Sequence, residues 1–492
     1  MMKLKQLFKN LPVEIKGNLG ITLTSLSAHS ACVVPGGLFI AKKGKAVDGT
    51  TFIADAVRSG AAAVLTDFYN PFLKGITQVI TADTALIEPI IADRYYRAPT
   101  QELFVVGVTG TDGKTTTSYV TQHLLKSEQE RCGLIGTVEY DVGTHRLPAH
   151  LTTPDLVTSQ RLFREMVDHK ATAAVMEVSS HALDQQRTQK IDFNAAVFTN
   201  LSRDHLDYHQ TMDNYLAAKT KLFASLRDSG VAFINRDDSA YEVIKQATEA
   251  KVISYGMDRA ADLMGKITDQ DLTGMTLEIR YQKSSCSLFV PLIGRFNGYN
   301  VLAAVGVALE RGLAIATIEQ RLKTLPPIPG RMERIAAPLP FAVFVDFAHT
   351  PQALCQALGH LKKLCQEKLL VVFGAGGDRD RGKRAAMGRA VATYADTLFV
   401  TSDNPRSEDP KQIIADICSG VVSTKQVIAE PDRRLALRAA IQHACPGDIV
   451  LIAGRGHEPM QKVGKTSLPF DDREIMREEL SQLKPPMNMR PV

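Results

Sequence analysis

The sequence predicts an α/β protein of three domains, and three observations predict it. The chain has 492 residues, 45% hydrophobic and 23% charged, enough for about three domains with cores of their own. Short apolar runs suited to buried strands alternate with helix-compatible stretches along most of its length. Two proline-bearing breaks, Arg97-Ala98-Pro99-Thr100 and Pro326-Pro327-Ile328-Pro329-Gly330, divide it into residues 1–97, 98–328 and 329–492.

In residues 1–97, Leu38–Ala41 and Ala62–Thr66 read as strands with Ala54–Ser59 helical between them, a small N-terminal α/β domain. The central region opens on Val105-Val106-Gly107-Val108, which runs into the Gly/Thr turn Thr109-Gly110-Thr111-Asp112-Gly113-Lys114-Thr115-Thr116 and then a helix-compatible segment. Strands at Ala173–Val178 and Ala195–Thr199, separated by helical stretches, indicate a parallel sheet wrapped by helices. Beyond the second break, Val343–Asp346, Leu369–Phe373, Thr397–Val400 and Ile449–Ala453 repeat the alternation, a Rossmann-like α/β domain. The tail from Lys484 to Val492 reads as mobile.

Composition excludes several classes. The net charge of +5 is spread along the chain, which suits an anionic small molecule and is not a nucleic-acid footprint. No apolar stretch approaches the roughly 18 residues of a membrane span. Met1–Gly17 carries lysines but no continuous apolar core of a signal peptide, so a cytoplasmic protein is expected. The seven cysteines are scattered without a C-x-x-C pair, which predicts reduced thiols rather than a disulfide framework or a cysteine zinc site. No internal repeat or low-complexity tract is present.

The residues Gly110, Thr111, Asp112, Gly113, Lys114, Thr115 and Thr116 are expected to form a phosphate cradle, the alternative being an ordinary Gly-rich turn. Glycines let backbone N–H groups approach phosphate oxygens, a helix N-terminus adds its dipole, and Lys114 supplies a point charge. The Thr115 hydroxyl can hold Mg²⁺. The usual pattern wants glycine six positions before the lysine, where this chain has Val108, so the loop is a short variant. Glu177, at a strand end, suits a Mg²⁺ ligand; the alternative is a solvated or capping acid. The loop Thr199-Asn200-Leu201-Ser202-Arg203-Asp204-His205-Leu206-Asp207-Tyr208-His209 gathers acid/base-capable side chains, functional or structural. Lys219 lies on a helix-compatible stretch, and composition alone places it at the surface. In the third domain, Gly374–Asp380, Asp403–Arg406 and Gly454–Glu458 each follow a strand and carry glycines, acids and arginines, suited to an amino acid or a phosphate. Ligands gather at the carboxyl ends of such strands, so the chemistry is expected in the cleft between the second and third domains.

These motifs, in this order, resemble the Mur ligases, the ATP-dependent amino-acid ligases of peptidoglycan precursor synthesis. The resemblance runs almost end to end: Thr109–Thr116, Glu177-Val178-Ser179-Ser180-His181, Asp204–His209, Gly294-x-Phe296-Asn297-x-x-Asn300, Pro329-Gly330-Arg331-Met332-Glu333 and Asp346-Phe347-Ala348-His349-Thr350-Pro351. The three loops of the last domain resemble those of MurE-type members, which add the third residue to UDP-N-acetylmuramoyl-L-alanyl-D-glutamate. Members with Asp-Asn-Pro-Arg take meso-2,6-diaminopimelate, a lysine-like chain with a second carboxylate. Arg406 would claim that carboxylate bidentately and would be left unpaired by lysine.

The resemblance implies a central P-loop parallel-sheet ATPase domain between a UDP-substrate-binding N-terminal domain and an amino-acid-binding C-terminal domain. Asn297, Asn300, Arg331, Asp346 and His349 would frame ATP. Thr115 and Glu177 would hold one Mg²⁺, and His205 with Lys219 as its carbamate a second. Ser30, Thr152, Thr153, Ser179, Gln185 and Arg187 would contact the UDP-muramoyl dipeptide. Arg379, Asp403, Asn404, Pro405, Arg406, Gly454 and Glu458 would contact diaminopimelate. Two positions depart from the family: His29-Ser30-Ala31 stands where many relatives read Asp-Ser-Arg, and Leu151 where they often carry a polar side chain. The route implied is transfer of the γ-phosphoryl group to a substrate carboxylate, aided by Lys114, then attack by the amine, whose proton could pass to His205, His209 or the leaving phosphate. Small-molecule partners and a monomer are expected.

Overall fold

The structure is a computed structural model and describes residues 1–44, 47–422 and 425–483; the tail expectation from Lys484 lies outside them. The chain forms two compact units, Met1–Leu263 with Ala303–Leu313, and Met264–Leu302 with Ala314–Val492.

The first unit holds two sheets. The smaller runs Glu14–Lys16, Thr77–Ile80, Ala63–Thr66, Leu38–Ile40, Leu26–Ser27, parallel except for its first strand. Its core joins Leu38, Ile40, Leu65 and Val79 to Ile87 and Ile91 of the helix Thr84–Tyr95, which Asp83 caps through Ala85 and Leu86 N–H. Leu156 and Val157 of the helix Leu156–Asp168 pack into the same core. The expected linker is therefore tied down: Pro99–Gln101 is a short 3₁₀ turn with Pro99 and Thr100 buried, entered through left-handed Arg97 and Ala98.

The larger sheet of this unit runs Arg146–Pro148, Glu139–Asp141, Arg131–Ile135, Ala171–Glu177, Phe104–Thr109, Ala195–Phe198, Val231–Asn235, Lys251–Gly256. From Arg131–Ile135 onward it is parallel. Its central strands are buried on both faces, which is why they read as unbroken apolar runs rather than alternating ones. Val108 pairs with both Glu177 and Val197, so the loops after Thr109, Glu177 and Phe198 leave the sheet side by side. The chain order reverses about this strand, the crevice where open α/β sheets bind ligands.

The second unit is built on Glu333–Ile335, Ala342–Asp346, Ile449–Ala453, Leu369–Phe373, Thr397–Val400, Gln426–Ala429, parallel after an antiparallel first strand. Its two faces carry separate cores. Val371, Phe373, Val400 and Leu451 meet Leu354, Leu358 and Ile417 on one side. Leu370, Val372, Val450 and Ile452 meet Leu437, Ile441 and Met476 on the other. This unit also contains an antiparallel hairpin, Met275–Tyr281 with Ser284–Val290, within the stretch for which a purely parallel sheet was expected. Residues 275–290 alternate apolar and polar, the pattern of a strand pair with one solvated face.

Candidate active site

The loop Thr109–Thr116 is built by backbone geometry. Gly110 has φ +150°, and a Cβ there would lie 1.8 Å from Thr199 Oγ1, so the loop can pass Thr199 only as glycine. Gly113, at φ +81°, caps the helix Lys114–Leu125. Thr199 Oγ1 and Asn200 Nδ2 donate to the Asp112 carbonyl at 2.6 and 3.1 Å, and Thr111 N–H to the Asn200 carbonyl at 2.9 Å. The loop is thus moulded by the neighbouring strand end before any ligand is considered. Lys114 Nζ donates to the carbonyls of Gly110 and Thr111 at 3.0 and 2.8 Å. Thr116 is buried in the first helical turn.

Glu177 is fully buried. Its Oε2 accepts from Thr115 Oγ1 and Thr137 Oγ1, each at 2.9 Å, and its Oε1 from Thr137 N–H at 2.9 Å. That is a carboxylate fixed by three donors, not a solvated acid. Thr152 Oγ1 lies 3.1 Å from Thr137 Oγ1. Thr153 Oγ1 donates to the Glu177 carbonyl at 2.8 Å and accepts from Ser179 N–H at 3.0 Å. Arg187 donates to the Thr153 carbonyl at 3.1 Å and to Gln185, and Gln185 Nε2 reaches Tyr208 at 3.2 Å. Thr152, Thr153, Ser179, Gln185 and Arg187 are therefore one connected set beside Glu177. Ser30 is half-buried, next to exposed His29, whose Nε2 lies 3.9 Å from Asp155, the cap of the helix that follows Thr153.

Lys219 overturns the surface expectation. It is 1% exposed, donates to the Gly110 carbonyl at 2.7 Å, and lies 4.3 Å from the Tyr215 ring centre. Burial, reinforced by Lys114, pushes its amine well below the usual lysine range. His205 has left-handed backbone, φ +54°, and its ring centre is 6.1 Å from Tyr215 and 4.8 Å from His181. Burial lowers the pKa of His181, His205 and His209 below the ordinary histidine range.

In the second unit, Asn297 and Asn300 are buried and joined by Asn300 Nδ2 donating to Asn297 Oδ1 at 3.1 Å, with Asn297 Nδ2 on the Ile293 carbonyl at 2.8 Å. Asp346 accepts from Met332 N–H at 2.7 Å and Ala348 N–H at 2.9 Å, and burial raises its pKa against the pull of Arg331. Arg331 and His349 both lie on Phe347, at 4.4 Å and 4.8 Å.

The three loops of that unit converge. Arg406, at φ +52°, donates to the Gly377 carbonyl at 2.6 Å, and Gly377 N–H to the Asn404 carbonyl at 2.9 Å. Asn404 Nδ2 donates to Glu458 at 2.8 Å. Gly454, at φ +112°, would push a Cβ to 2.7 Å from the Asp403 carboxylate. Pro405 and Asp403 are buried, whereas Arg379 is exposed. Left-handed non-glycine residues occur in two of these loops, at Asp378 and Arg406, a local cost of about 1–3 kcal/mol each that the surrounding contacts must hold.

Sequence reading missed Thr137 and Arg455. Thr137 follows the strand Arg131–Ile135, and its signal is the apolar run Cys132–Ile135 ending in Gly136-Thr137. Arg455 is fully buried and donates to Asn404 Oδ1 at 3.0 Å and to the Met460 and Phe470 carbonyls at 3.0 and 2.9 Å; nothing in its loop sequence marks it as structural.

A glycine loop running into a lysine at a helix N-terminus, with a buried carboxylate beside it on a parallel sheet, is the architecture of α/β nucleotide-using enzymes. Residues 22–91 match the model described as Mur ligase family, catalytic domain, residues 108–308 the Mur ligase middle domain, and residues 330–456 the Mur ligase, glutamate ligase domain. The chain is 41% identical over 486 residues to UDP-N-acetylmuramoyl-L-alanyl-D-glutamate--2,6-diaminopimelate ligase of Geobacillus thermodenitrificans, covering 97% of this chain and 99% of that one. It is 41% identical to the protein of that name from Chlamydia trachomatis, covering 98% and 100%. A solved structure of such a ligase is 34% identical with a TM-score of 0.68 over 98% of this chain and 99% of that one. MurF from Acinetobacter baumannii, 20% identical with a TM-score of 0.71 over 98% and 99% of the two chains, shares the fold. The chain belongs to the Mur ligase family.

Proposed function

We propose that this chain joins meso-2,6-diaminopimelate to UDP-N-acetylmuramoyl-L-alanyl-D-glutamate, with ATP cleaved to ADP and phosphate. It is an ATP-dependent ligase. The observation that carries the choice of amino acid is Asp403-Asn404-Pro405-Arg406, with Arg406 anchored on Gly377 and Asn404 on Glu458, in a chain matched end to end by diaminopimelate ligases. Arg406 offers a bidentate donor to the distal carboxylate, and Glu458 an acceptor for the distal ammonium.

Amide formation from a carboxylate needs an activated acyl group. The γ-phosphoryl group passes from ATP to the substrate carboxylate, giving ADP and an acyl phosphate. The amine attacks the acyl carbon, a C–N bond forms, and phosphate leaves with the C–O bond electrons. Lys114 and the loop N–H groups offset the charge of two anions brought together. His205, His209 or the leaving phosphate would take the amine proton, and burial holds both imidazoles below the ordinary histidine range.

Thr115 and Glu177 present a hydroxyl and a carboxylate, hard oxygen donors that fit magnesium, and His205 with a carbamylated Lys219 would complete a second set. Carbamylation requires a neutral amine, and the depressed Lys219 supports it. Bound magnesium supplies neutralisation of phosphate charge. We assign residues 1–97, with Ser30, to the uridine end of the substrate, 98–328 to ATP, and 329–492 to the amino acid.

An amino-acid panel with UDP-muramoyl dipeptide and ATP, read by phosphate release, tests the reading. Diaminopimelate-dependent turnover is expected. Turnover with lysine and none with diaminopimelate would replace the amino acid while leaving the ligase class intact.

A further inference from the structure

We propose that His145, Glu165 and His169 bind a divalent transition-metal ion of the zinc, cobalt or nickel class, at a site remote in chemistry from the phosphate loop. A ring nitrogen of each histidine and a Glu165 carboxylate oxygen all lie within 4.8 Å of one another. His145 Nε2 is already 3.2 Å from Glu165 Oε1. Two ligands at about 2.0–2.1 Å from a tetrahedral ion stand roughly 3.3 Å apart, so this pair has the spacing of a chelating edge.

Local structure sets the donors. Glu165 and His169 are four residues apart at the end of the helix Leu156–Asp168, hence on one face. His145 comes from the turn between Glu139–Asp141 and Arg146–Pro148, a turn closed by Val142 N–H donating to the His145 carbonyl at 3.1 Å. Arg131 donates to the His169 carbonyl at 2.7 Å, fixing the helix end. The two imidazoles face each other edge-on with centres 5.9 Å apart.

The outer contacts suit ligation as well. His145 Nδ1 is 3.2 Å from Thr144 Oγ1, which leaves Nε2 toward Glu165, and Arg161 donates to the other Glu165 oxygen at 3.3 Å. Ligating imidazoles are ordinarily held through their second nitrogen in this way. Two imidazoles and one carboxylate prefer zinc, cobalt or nickel to magnesium, which takes oxygen ligands. The exposed side of His145 leaves positions for water. The hairpin bearing His145 begins just after Thr137 and ends just before Thr152, so the ion would tie the segment carrying both threonines to the helix Leu156–Asp168.

The test uses the full chain stripped with chelator. Cobalt(II) is titrated and followed by visible absorption, and zinc by calorimetry. Wild type should take up one ion more than His145→Gln at low-micromolar concentration, with imidazole–carboxylate and no thiolate absorption, and a raised melting temperature. His145→Ala and His169→Ala should each weaken uptake more than about tenfold, with folding checked by circular dichroism; His145→Gln, in an exposed turn, is the second variant should either lose structure. No uptake by wild type in that range, or uptake equal in wild type and His145→Gln, overturns the site.

Discussion

Lys114 and Lys219 converge on one acceptor: the Gly110 carbonyl takes a hydrogen bond from Lys114 Nζ at 3.0 Å and from Lys219 Nζ at 2.7 Å. Two ammonium groups cannot share that oxygen cheaply in a buried site. Lys114 is the more exposed of the two, so the deprotonation cost falls on Lys219, and burial drives it in the same direction. A neutral amine beside a phosphate loop is a nucleophile toward carbon dioxide, whereas an ammonium is not.

Stability should report this state. A lysine whose folded pKa is depressed binds fewer protons folded than unfolded, so it costs stability below its ordinary value of 10.5, and the cost shrinks as pH rises toward that value. Lys219→Met, measured by urea denaturation in carbonate-free buffer, is expected to be more stable than wild type by more than about 1 kcal/mol at neutral pH. The gap should narrow toward pH 10. A gap that is absent at pH 7, or widens with pH, would show Lys219 to be charged.

Activity should move the other way. Lys219→Ala is expected to lose on the order of 100-fold or more in turnover, the scale of removing one preorganised charge-stabilising group. Short carboxylic acids such as acetate should restore part of it by supplying the missing oxygen donor. Lys114→Ala should abolish ADP release, with no rescue by the same acids. Undiminished turnover of Lys219→Ala would remove its role.

Arg406 owes its aim to its backbone. At φ +52° it turns the guanidinium back onto the Gly377 carbonyl, and its N–H and carbonyl are held by Lys462 and Gly464. Arg406→Ala should lower kcat/KM for diaminopimelate about 10–100-fold, the worth of a charged hydrogen-bond pair, chiefly through KM. Arg406→Lys should recover little, because a point charge cannot replace a planar fork. An unchanged KM in steady-state assays with varied diaminopimelate would move the carboxylate contact elsewhere.

The fold was legible where periodicity and turn chemistry agree. Leu369–Phe373 and Ile449–Ala453 are apolar on both faces because both faces are covered, and their runs show it. The hairpin Met275–Tyr281 with Ser284–Val290 was less legible, since its turn, Gln282-Lys283, lacks glycine or proline. In the site, Glu177 was legible as a strand-end carboxylate, but its partner Thr137 was not, because the pairing depends on which strands become neighbours. Lys219 is the sharper case. One helix turn, Ala217-Ala218-Lys219-Thr220, reads as surface, and only the tertiary contact with Gly110 makes it interior. Family resemblance carried that residue where composition could not.

The interior of the second unit hides a further determinant of the amino-acid loops. Arg433 and Asp472 are both fully buried, joined bidentately at 2.8 and 2.7 Å. Two further guanidinium N–H groups reach the Ser402 and Ala453 carbonyls, each at 3.1 Å. Those carbonyls directly precede Asp403 and Gly454, so one arginine ties together the roots of two loops that face diaminopimelate in the reading above. Arg433→Met alone leaves Asp472 charged and unpaired, and should cost about 3–5 kcal/mol by chemical denaturation. Arg433→Met with Asp472→Leu removes both charges and should recover most of that loss. It should not recover the loop geometry, because the Ser402 and Ala453 carbonyls still lack their donor. The double variant is therefore expected to fold like wild type yet show a raised KM for diaminopimelate, with the KM for ATP little changed. Wild-type KM in the stable double variant would reduce the pair to a packing role.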